Sequence, residues 1–513
     1  MKLSVEPFDT GRRIALVAGA IVLAVVAVLA IAARAQATET IYWDNYNVGT
    51  LSFANIDGTG GGELNSAGLE IEEPEGMAFD PANGRIYVAS SSNDKIGWVA
   101  TDGSGGGVLD TGGAPVENPR GIAVDPNNQM VYWANDEKEG SIGYASANGG
   151  SGGKLNTGGA PTEFPDKIAL DTTNGRIYWV STEEQVFYAN TNGSGGGSLN
   201  VAEPERPIHW TAINVDPAAG KLYFLEEGPL EEGWIWWINT SGVGSGEIQI
   251  PAPYFYGAYG MAFDPALGRF YWANYGYNEQ RENAFGTTTP AGSAGGITVA
   301  TAPVDGPQDP VILKSPSGAG APAVTQSAAA LSCSQGTWSQ DYPGSYVYGA
   351  PVSYSYQWLL NGAAIAGATA DTYSATAAGS YSCSVTGKNV SGSATQTSAA
   401  VTVTATTISL KPKSKKAKVK AGKTAKFKIK LTNKGDLTSK SLKVCGQLNK
   451  KAKEGLKAPK CVSVKPLAFG KSANATLKVK TKKSAMGVYK LKLKVKGASA
   501  KPVTLSVKVM TKK

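Results

Sequence analysis

The residues best placed to do chemistry occupy one recurring position of the chain. Each stands just before a short apolar segment, and the intervals between them are 45, 46, 45 and 48 residues. In chain order they are Glu75, Arg120, Asp166, Thr211 and Tyr259. If the fold brings these equivalent positions together, the mixed ring of carboxylates, guanidinium and hydroxyls could orient a small polar ligand. We predict a ligand-binding set here and assign no catalytic residue and no metal ligand.

Composition and context weigh against several other kinds of site. The chain has one histidine, His209, which excludes His-based triads and multi-histidine metal sites. Gly-rich stretches such as residues 102–107 lack the following helix and Lys of a phosphate-binding loop. A recurring Asp, mostly followed by Pro, suits a carboxylate that accepts from turn amides, and we interpret it as structural. These residues are Asp80, Asp125, Asp171, Asp216 and Asp264.

A six-fold repeat predicts the elements that position the candidate residues. Each copy centres on a tyrosine that follows an apolar residue, at spacings of 45, 45, 46, 45 and 48 residues. The tyrosines are Tyr42, Tyr87, Tyr132, Tyr178, Tyr223 and Tyr271. Four short strands per copy predict an all-β fold that begins with a six-bladed β-propeller over residues 38–313. Because the chain enters on a second strand, we expect residues 311–313 to supply the missing first strand.

At these tyrosine segments the chain resembles the YWTD propellers of the low-density-lipoprotein-receptor family and, more loosely, the NHL-type propellers. It departs from that family two places after the aromatic residue, where the family's Asp is replaced by Asn45, Ser90, Asn135, Ser181, Glu226 or Asn274. Related-looking propellers include calcium-dependent lactonases with acidic and amide ligands in the channel. That resemblance implies calcium as the one candidate cofactor, with Glu75 and Asp166 in the place of two ligands.

Charge is distributed very unevenly along the chain. Residues 38–310 carry 11 Lys and Arg against 35 Asp and Glu, a net of −24, and residues 405–513 carry 32 Lys against two acids, a net of +30. The acids concentrate in loops that a propeller would place on one face. Such a face favours cationic peptides, amines or divalent cations. The alternative is a solvated face that keeps an exported protein soluble.

The N-terminus indicates export. Arg12 and Arg13 precede an apolar run over residues 14–33, and Ala35-Gln36-Ala37 has the form of a signal-peptidase site. The run is also long enough to span a bilayer. Residues 1–37 are therefore predicted to be a signal peptide or a signal anchor, with the rest of the chain outside the cell. The four cysteines, as the pairs Cys333 with Cys383 and Cys445 with Cys461, fit two disulfides in an oxidising compartment.

Residues 314–404 and 405–513 are predicted to form two further β-sandwich modules. The first has the Cys333, Trp358 and Tyr381-Ser382-Cys383 order of an Ig-like domain and resembles the bacterial Ig-like modules of actinobacterial surface proteins. The second alternates Lys with apolar residues, which places Lys on one face of each strand. It resembles the CARDB-like adhesion modules of bacterial surface proteins.

The charged residues of the last module suggest its partners. All its cations are Lys and its aromatic residues are few, so we expect diffuse attraction to anionic envelope polymers or a membrane surface, and no nucleic acid. Edge protection and solubility are the competing explanation. A further alternative is that the acidic propeller and the basic module bind each other, within one chain or between chains.

Together these features predict an exported, cell-surface ligand-binding or adhesion protein. Its acidic propeller face would bind a partner, and its Lys-rich module would associate with the envelope. The alternative is a metal-dependent, lactonase-like hydrolase acting at the channel mouth.

Overall fold

The computed structural model describes residues 39–510, apart from 183–184, 202–208, 227–232, 251–254, 256, 276–283, 292 and 300–301. The predicted export segment lies outside these residues. In the part of the chain that is described, no helix is long and apolar enough to cross a membrane. The chain forms two compact units, of which the first comprises Met1–Ser317, Trp338–Ser353 and Gly387–Ala394 and the second comprises Gly318–Thr337, Tyr354–Thr386 and Thr395–Lys513.

Short antiparallel strands build the first unit almost entirely. In chain order they are β1 (Thr40–Asn45), β2 (Thr50–Asn55), β3 (Gly62–Glu63), β4 (Pro74–Asp80), β5 (Arg85–Ser90), β6 (Lys95–Ala100), β7 (Gly106–Val108), β8 (Pro119–Asp125), β9 (Met130–Asn135), β10 (Ser141–Ser146), β11 (Gly152–Lys154), β12 (Pro165–Asp171), β13 (Arg176–Ser181), β14 (Val186–Asn190), β15 (Gly196–Leu199), β16 (Trp210–Asp216), β17 (Lys221–Glu226), β18 (Gly233–Asn239), β19 (Ser245–Ile250), β20 (Ala258–Asp264), β21 (Arg269–Asn274), β22 (Phe285–Thr288), β23 (Ala294–Ile297) and β24 (Pro307–Leu313).

These strands form a ring of sheets, which is a β-propeller-type fold. The inner strands β4, β8, β12, β16, β20 and β24 contact one another in turn, and β24 returns to contact β4. The predicted closure is confirmed, because Ile312 pairs with Ile41 and Leu313 with Thr40, so the two ends of the ring share one sheet. An unpaired edge at the seam would have left strand amides and carbonyls exposed.

The repeated residues hold neighbouring sheets together, as predicted for structural positions. Trp43, Trp133, Trp179 and Trp272 are fully buried. Asp80 accepts hydrogen bonds from the turn amides of Ala82 and Asn83, and the same bonds recur at Asp125, Asp171, Asp216 and Asp264. The five Asp are therefore turn residues, as their position before Pro or Thr indicates.

A segment far along the chain, Trp338–Ser353, also belongs to the first unit and lies against the inner strands. Its strand β29 (Val347–Tyr348) pairs in parallel with β24. The Tyr346 hydroxyl lies 2.5 Å from the Ile168 carbonyl oxygen and 3.2 Å from that of Ile122. Ser345 donates its hydroxyl proton to the carbonyl of Val215 at 2.6 Å. We name this segment the clasp, because it bonds to β8, β12, β16 and β24 at once.

The remaining chain up to residue 403 is built from short strands and one turn of 3-10 helix in the clasp, Pro343–Ser345. The strands are β25 (Gly318–Gly320), β26 (Val324–Ser327), β27 (Ala330–Cys333), β28 (Thr337–Trp338), β30 (Ser353–Leu360), β31 (Ala363–Ala364), β32 (Thr372–Ser374), β33 (Gly379–Asn389), β34 (Gly392–Thr397) and β35 (Val401–Val403). The predicted Cys333–Cys383 disulfide is present. Trp358 is fully buried, and the Tyr381 hydroxyl donates to the Ala377 carbonyl at 2.8 Å.

The Lys-rich residues form two sheets around one apolar core. Their elements are β36 (Ile408–Pro412), β37 (Lys416–Lys420), β38 (Thr424–Asn433), β39 (Leu442–Leu448), helix α1 (Lys450–Gly455), β40 (Val462–Val464), β41 (Ser472–Lys480), β42 (Gly487–Lys496) and β43 (Val503–Met510). Strand β38 alternates exposed Lys with buried Phe427, Ile429 and Leu431, which confirms the predicted period of two. The Cys445–Cys461 disulfide is also present.

Candidate ligand site at the mouth of the ring

The five predicted residues all lie at the start of inner strands, at one end of the ring that we call the mouth. Strand pairing is irregular there in each sheet: the register shifts between Pro74 and Gly76, and again at the equivalent places of β8, β12, β16 and β20. A bulge leaves a residue outside the ladder and re-aims its side chain. Glu75, Arg120, Asp166 and Thr211 are therefore released from regular pairing, whereas in β20 Tyr259 pairs with Ala273 and Gly260 is the residue left out. This irregularity is the local reason that the mouth can carry polar groups.

Three of the predicted residues come together, and a fourth residue joins them. Arg120 forms an ion pair with Asp136 at 2.7 Å (Nε to Oδ2), and its Nη1 lies 3.5 Å from Glu75 and 3.8 Å from Asp166. Asp136 follows β9, and its backbone amide donates to the carbonyl of Asn118, which directly precedes β8. That bond brings Asp136 beside Arg120. The sequence placed Asp136 only among the acidic loops, because nothing in its spacing points to the axis.

One layer deeper, a second ion pair crosses the ring. Lys167 on β12 lies 2.9 Å from Asp309 on the opposite strand β24 and donates to the Glu75 carbonyl oxygen at 2.6 Å. The Lys167 side chain is buried, and that of Asp309 is largely so, with 14% exposed. The close approach of β20 to β24 requires glycine at position 260, because a Cβ there would lie 2.3 Å from the backbone nitrogen of Asp309. Local sequence does not predict this pair, because Asp309 lies 142 positions from Lys167 along the chain.

The other two predicted residues have different surroundings. Thr211 is buried and donates its hydroxyl proton to the Ala258 carbonyl at 2.9 Å, so it bonds one inner strand to the next. Tyr259 is half-buried in a cluster of rings with His209 and Tyr275, at centroid distances of 6.2 and 5.4 Å. Tyr46 extends this cluster by an edge contact with Tyr275 at 6.0 Å. The mouth thus has an acidic part and an aromatic part. Tyr254 and Tyr256, which precede Tyr259 closely in the sequence, lie outside the described residues.

Burial shapes the electrostatics of the mouth. It raises the pKa of Glu75, although Lys167 and Arg120 lower it, and it raises that of Asp136 to about 6 despite Arg120. Asp44 is fully buried near Asp309, and burial raises its pKa well above the usual range. Burial lowers the pKa of Lys167, but Asp309, Asp166 and Glu75 more than offset this, so it stays a cation. The carboxylates of Glu75, Asp136, Asp166 and Asp309 therefore share two cations, Arg120 and Lys167.

The ring is blocked on its axis behind these residues. Behind the Lys167–Asp309 pair, the cavity on the axis has room for about one water molecule. Tyr346 of the clasp lines its far side. A ligand from the mouth can therefore contact the outer layer of side chains but cannot pass through the ring.

A metal centre would require a different arrangement. Among the described residues, no group of three or more His, Cys, Asp or Glu side chains is arranged to hold a metal ion. Between Glu75 and Asp166, the two carboxylates that the lactonase resemblance singles out, lies the guanidinium of Arg120. Calcium at this site remains a prediction.

Comparison with known proteins returns distantly similar solved structures. No protein-family model and no curated protein matches the chain. One similar solved structure, a nidogen/laminin complex, shares 14% identity with a TM-score of 0.43 over 53% of this chain and 98% of that one. A gluconolactonase from Xanthomonas campestris shares 16% identity with a TM-score of 0.33 over 47% of this chain and 84% of that one. A functionally unknown protein from Desulfotomaculum acetoxidans shares 14%, with a TM-score of 0.35 over 53% and 98%.

Proposed function

We propose that the protein is an exported surface protein with a binding role and no catalytic one. In this proposal a six-bladed propeller binds a partner through its acidic mouth. Residues 314–404 form an Ig-like spacer, and residues 405–513 form a CARDB-like module that holds the protein on anionic polymers of the cell envelope. The two disulfides support an oxidising, extracellular location.

The observation that carries the proposal is the pairing of lysines with lysines across neighbouring strands. The directly opposed pairs are Lys426 with Lys478, Lys411 with Lys430, Lys443 with Lys496, and Lys418 with Lys508. Like charges directly opposite each other destabilise a sheet. Solubility alone does not require this arrangement, because interspersed charges of both signs achieve it without repulsion. A polyanion lying on these strands would turn the repulsion into attraction.

The kind of cation favours a diffuse anionic surface over nucleic acid. A Lys ammonium is a point charge that attracts any anion, whereas bidentate reading of phosphates or bases uses Arg. Of the three aromatic residues of the module, Phe427 and Tyr489 are buried and Phe469 is exposed, and a single exposed ring offers no platform for successive bases. Teichoic-acid-like phosphodiesters, uronic polymers and anionic lipid head groups share the required chemistry.

Binding of the full chain to dextran sulfate and to phosphatidylglycerol vesicles tests this role. Replacing Lys426, Lys428, Lys430 and Lys478 by Gln should weaken binding at least tenfold, and binding by the unmodified protein should fall steeply with salt. The matched control changes the same four lysines to Arg, which keeps the charge and should keep the binding. Equal retention of the Gln variant, or retention unchanged up to molar salt, would contradict the docking role.

The hydrolase alternative rests on the resemblance to lactonase propellers, and it makes a separate demand. A calcium ion takes six to eight oxygen ligands, so Glu75 and Asp166 would have to turn away from Arg120 to bind it. Metal analysis of the purified protein distinguishes the two functions. A stoichiometric cation that is lost in Glu75→Ala or Asp166→Ala would favour hydrolysis and justify a screen of lactones and esters.

A further inference from the structure

We propose that the mouth of the ring binds an aliphatic ammonium group, such as a lysine side chain, between the carboxylates of Glu75 and Asp166 and the rings of Tyr46 and Tyr275. This inference rests on the proposed binding role of the propeller and names the chemical class of its ligand.

The first step is the excess of negative charge. Among the described residues, the ion-pair partners of Glu75, Asp136, Asp166 and Asp309 are Arg120 and Lys167, so four carboxylates leave charge for a further cation. Burial strengthens the attraction, because charges interact more strongly away from water. Burial raises the pKa of Glu75 and of Asp136, and the nearby cations lower both without reversing the shift.

The second step is unused hydrogen-bonding capacity. Oδ1 of Asp166 and Oδ1 of Asp136 are buried, and neither has a hydrogen-bond partner in the part of the chain that the structure describes. Both side chains are more than nine-tenths buried, with 7% and 8% exposed. Oδ1 of Asp166 points toward Arg120 at the mouth but stays 3.8 Å from it. Buried polar atoms are normally satisfied, so these two oxygens call for a donor.

The third step is the aromatic wall beside these acids. Tyr46 and Tyr275 are half-buried and lie edge to face, and burial, followed by the Glu75 charge, raises the pKa of both hydroxyls. Ring faces attract cations within about 6 Å. Carboxylates combined with aromatic faces suit an organic cation, whereas a metal ion requires a shell of oxygens. An ammonium on an alkyl stem uses both parts of the mouth, with the charge on the acids and the stem along the rings.

Calorimetric titration of the full chain with a tetralysine peptide at low ionic strength tests the site. The unmodified protein should bind the peptide and should not bind its fully Nε-acetylated form. Asp166→Asn and Glu75→Gln should each weaken binding at least tenfold. The matched control is Asp102→Asn, which removes an equal charge from an exposed turn between β6 and β7 and should change binding less than twofold.

Each outcome decides the question. Equal losses in Asp102→Asn and Asp166→Asn would show general surface attraction and overturn the proposal, as would equal binding of the acetylated peptide. If the acidic variants fail to fold, Tyr275→Leu, at the half-buried rim, should still weaken tetralysine binding several-fold, and an unchanged affinity would overturn the proposal. If the protein does not bind tetralysine but still binds dextran sulfate, the ammonium site is refuted and the docking role is not. The dextran sulfate assay reports on the Lys-rich module, not on the mouth.

Discussion

Replacing Tyr346 by Phe removes one hydroxyl from the centre of the ring and leaves the aromatic ring in place. The hydroxyl lies 2.5 Å from the Ile168 carbonyl and 3.2 Å from that of Ile122. Both carbonyls belong to inner strands that have only one ladder partner, on the side away from the axis. Burial raises the pKa of Tyr346, so the group is a neutral donor throughout the physiological range.

The magnitude follows from the cost of leaving these carbonyls without a donor. A net hydrogen bond contributes about 0.5–1.5 kcal/mol, and a buried group left unsatisfied costs about 1–3 kcal/mol. Room for about one water on the axis limits compensation by solvent. We therefore expect Tyr346→Phe to lower the free energy of unfolding of the first unit by about 1–3 kcal/mol.

Urea denaturation, followed by tryptophan fluorescence, measures the free energy of unfolding of the first unit. Of the 11 tryptophans, Trp358 alone belongs to the second unit, so the signal reports mainly on the first. The midpoint should fall at an unchanged slope. The control is Tyr144→Phe, because Tyr144 is half-buried and its hydroxyl has no hydrogen bond among the described residues. This variant should change the free energy of unfolding by less than about 0.5 kcal/mol. Equal midpoints for the two variants would refute the clasp's role in holding the inner strands.

Three further sets of substitutions test the buried charges of the first unit and the disulfide of the Lys-rich module. Lys167→Met should destabilise the first unit by about 3–5 kcal/mol, because it leaves Asp309 buried without its cation, and adding Asp309→Leu should recover part of the loss in the same urea assay. Asp136 has its pKa raised to about 6 in the folded protein, so folding takes up a proton between its ordinary value and 6; the first unit should gain stability as pH falls from 7 toward 4, and Asp136→Asn should flatten this slope in pH-dependent melting. Cys445→Ala with Cys461→Ala should lower the stability of the Lys-rich module by about 3 kcal/mol, because the bond closes a loop of 16 residues; an unchanged melting transition for that module would contradict this.

Repeats made much of the first unit predictable. The tyrosine spacing, the Asp turns and the closing strand each depend on local chemistry that recurs in every copy, so one alignment predicts them all. The clasp was not predictable in this way. Residues 338–353 fall within the range predicted for the Ig-like module, and no periodicity relates Tyr346 to the carbonyls it reaches on β8 and β12.

The candidate site shows the same division. Equivalent positions in the repeat predicted that Glu75, Arg120 and Asp166 would meet, and they do. Thr211 and Tyr259 occupy the same position, but one bonds to a neighbouring strand and the other packs among rings, because side-chain length and neighbours differ between sheets. Asp136 and the Lys167–Asp309 pair reach the mouth only through closure of the ring, so their spacing in the sequence did not predict them.

By itself the sequence determined that this is an all-β protein with a ring of repeated sheets. It also determined that a disulfide-bonded segment and a Lys-rich module follow the ring. Those properties follow from period, turn residues and charge, which act over a few residues at a time. Only the tertiary structure decided that the ring is blocked on its axis and that four carboxylates share two cations. Both depend on distances across the ring between residues far apart in the chain, and local patterning does not encode those distances.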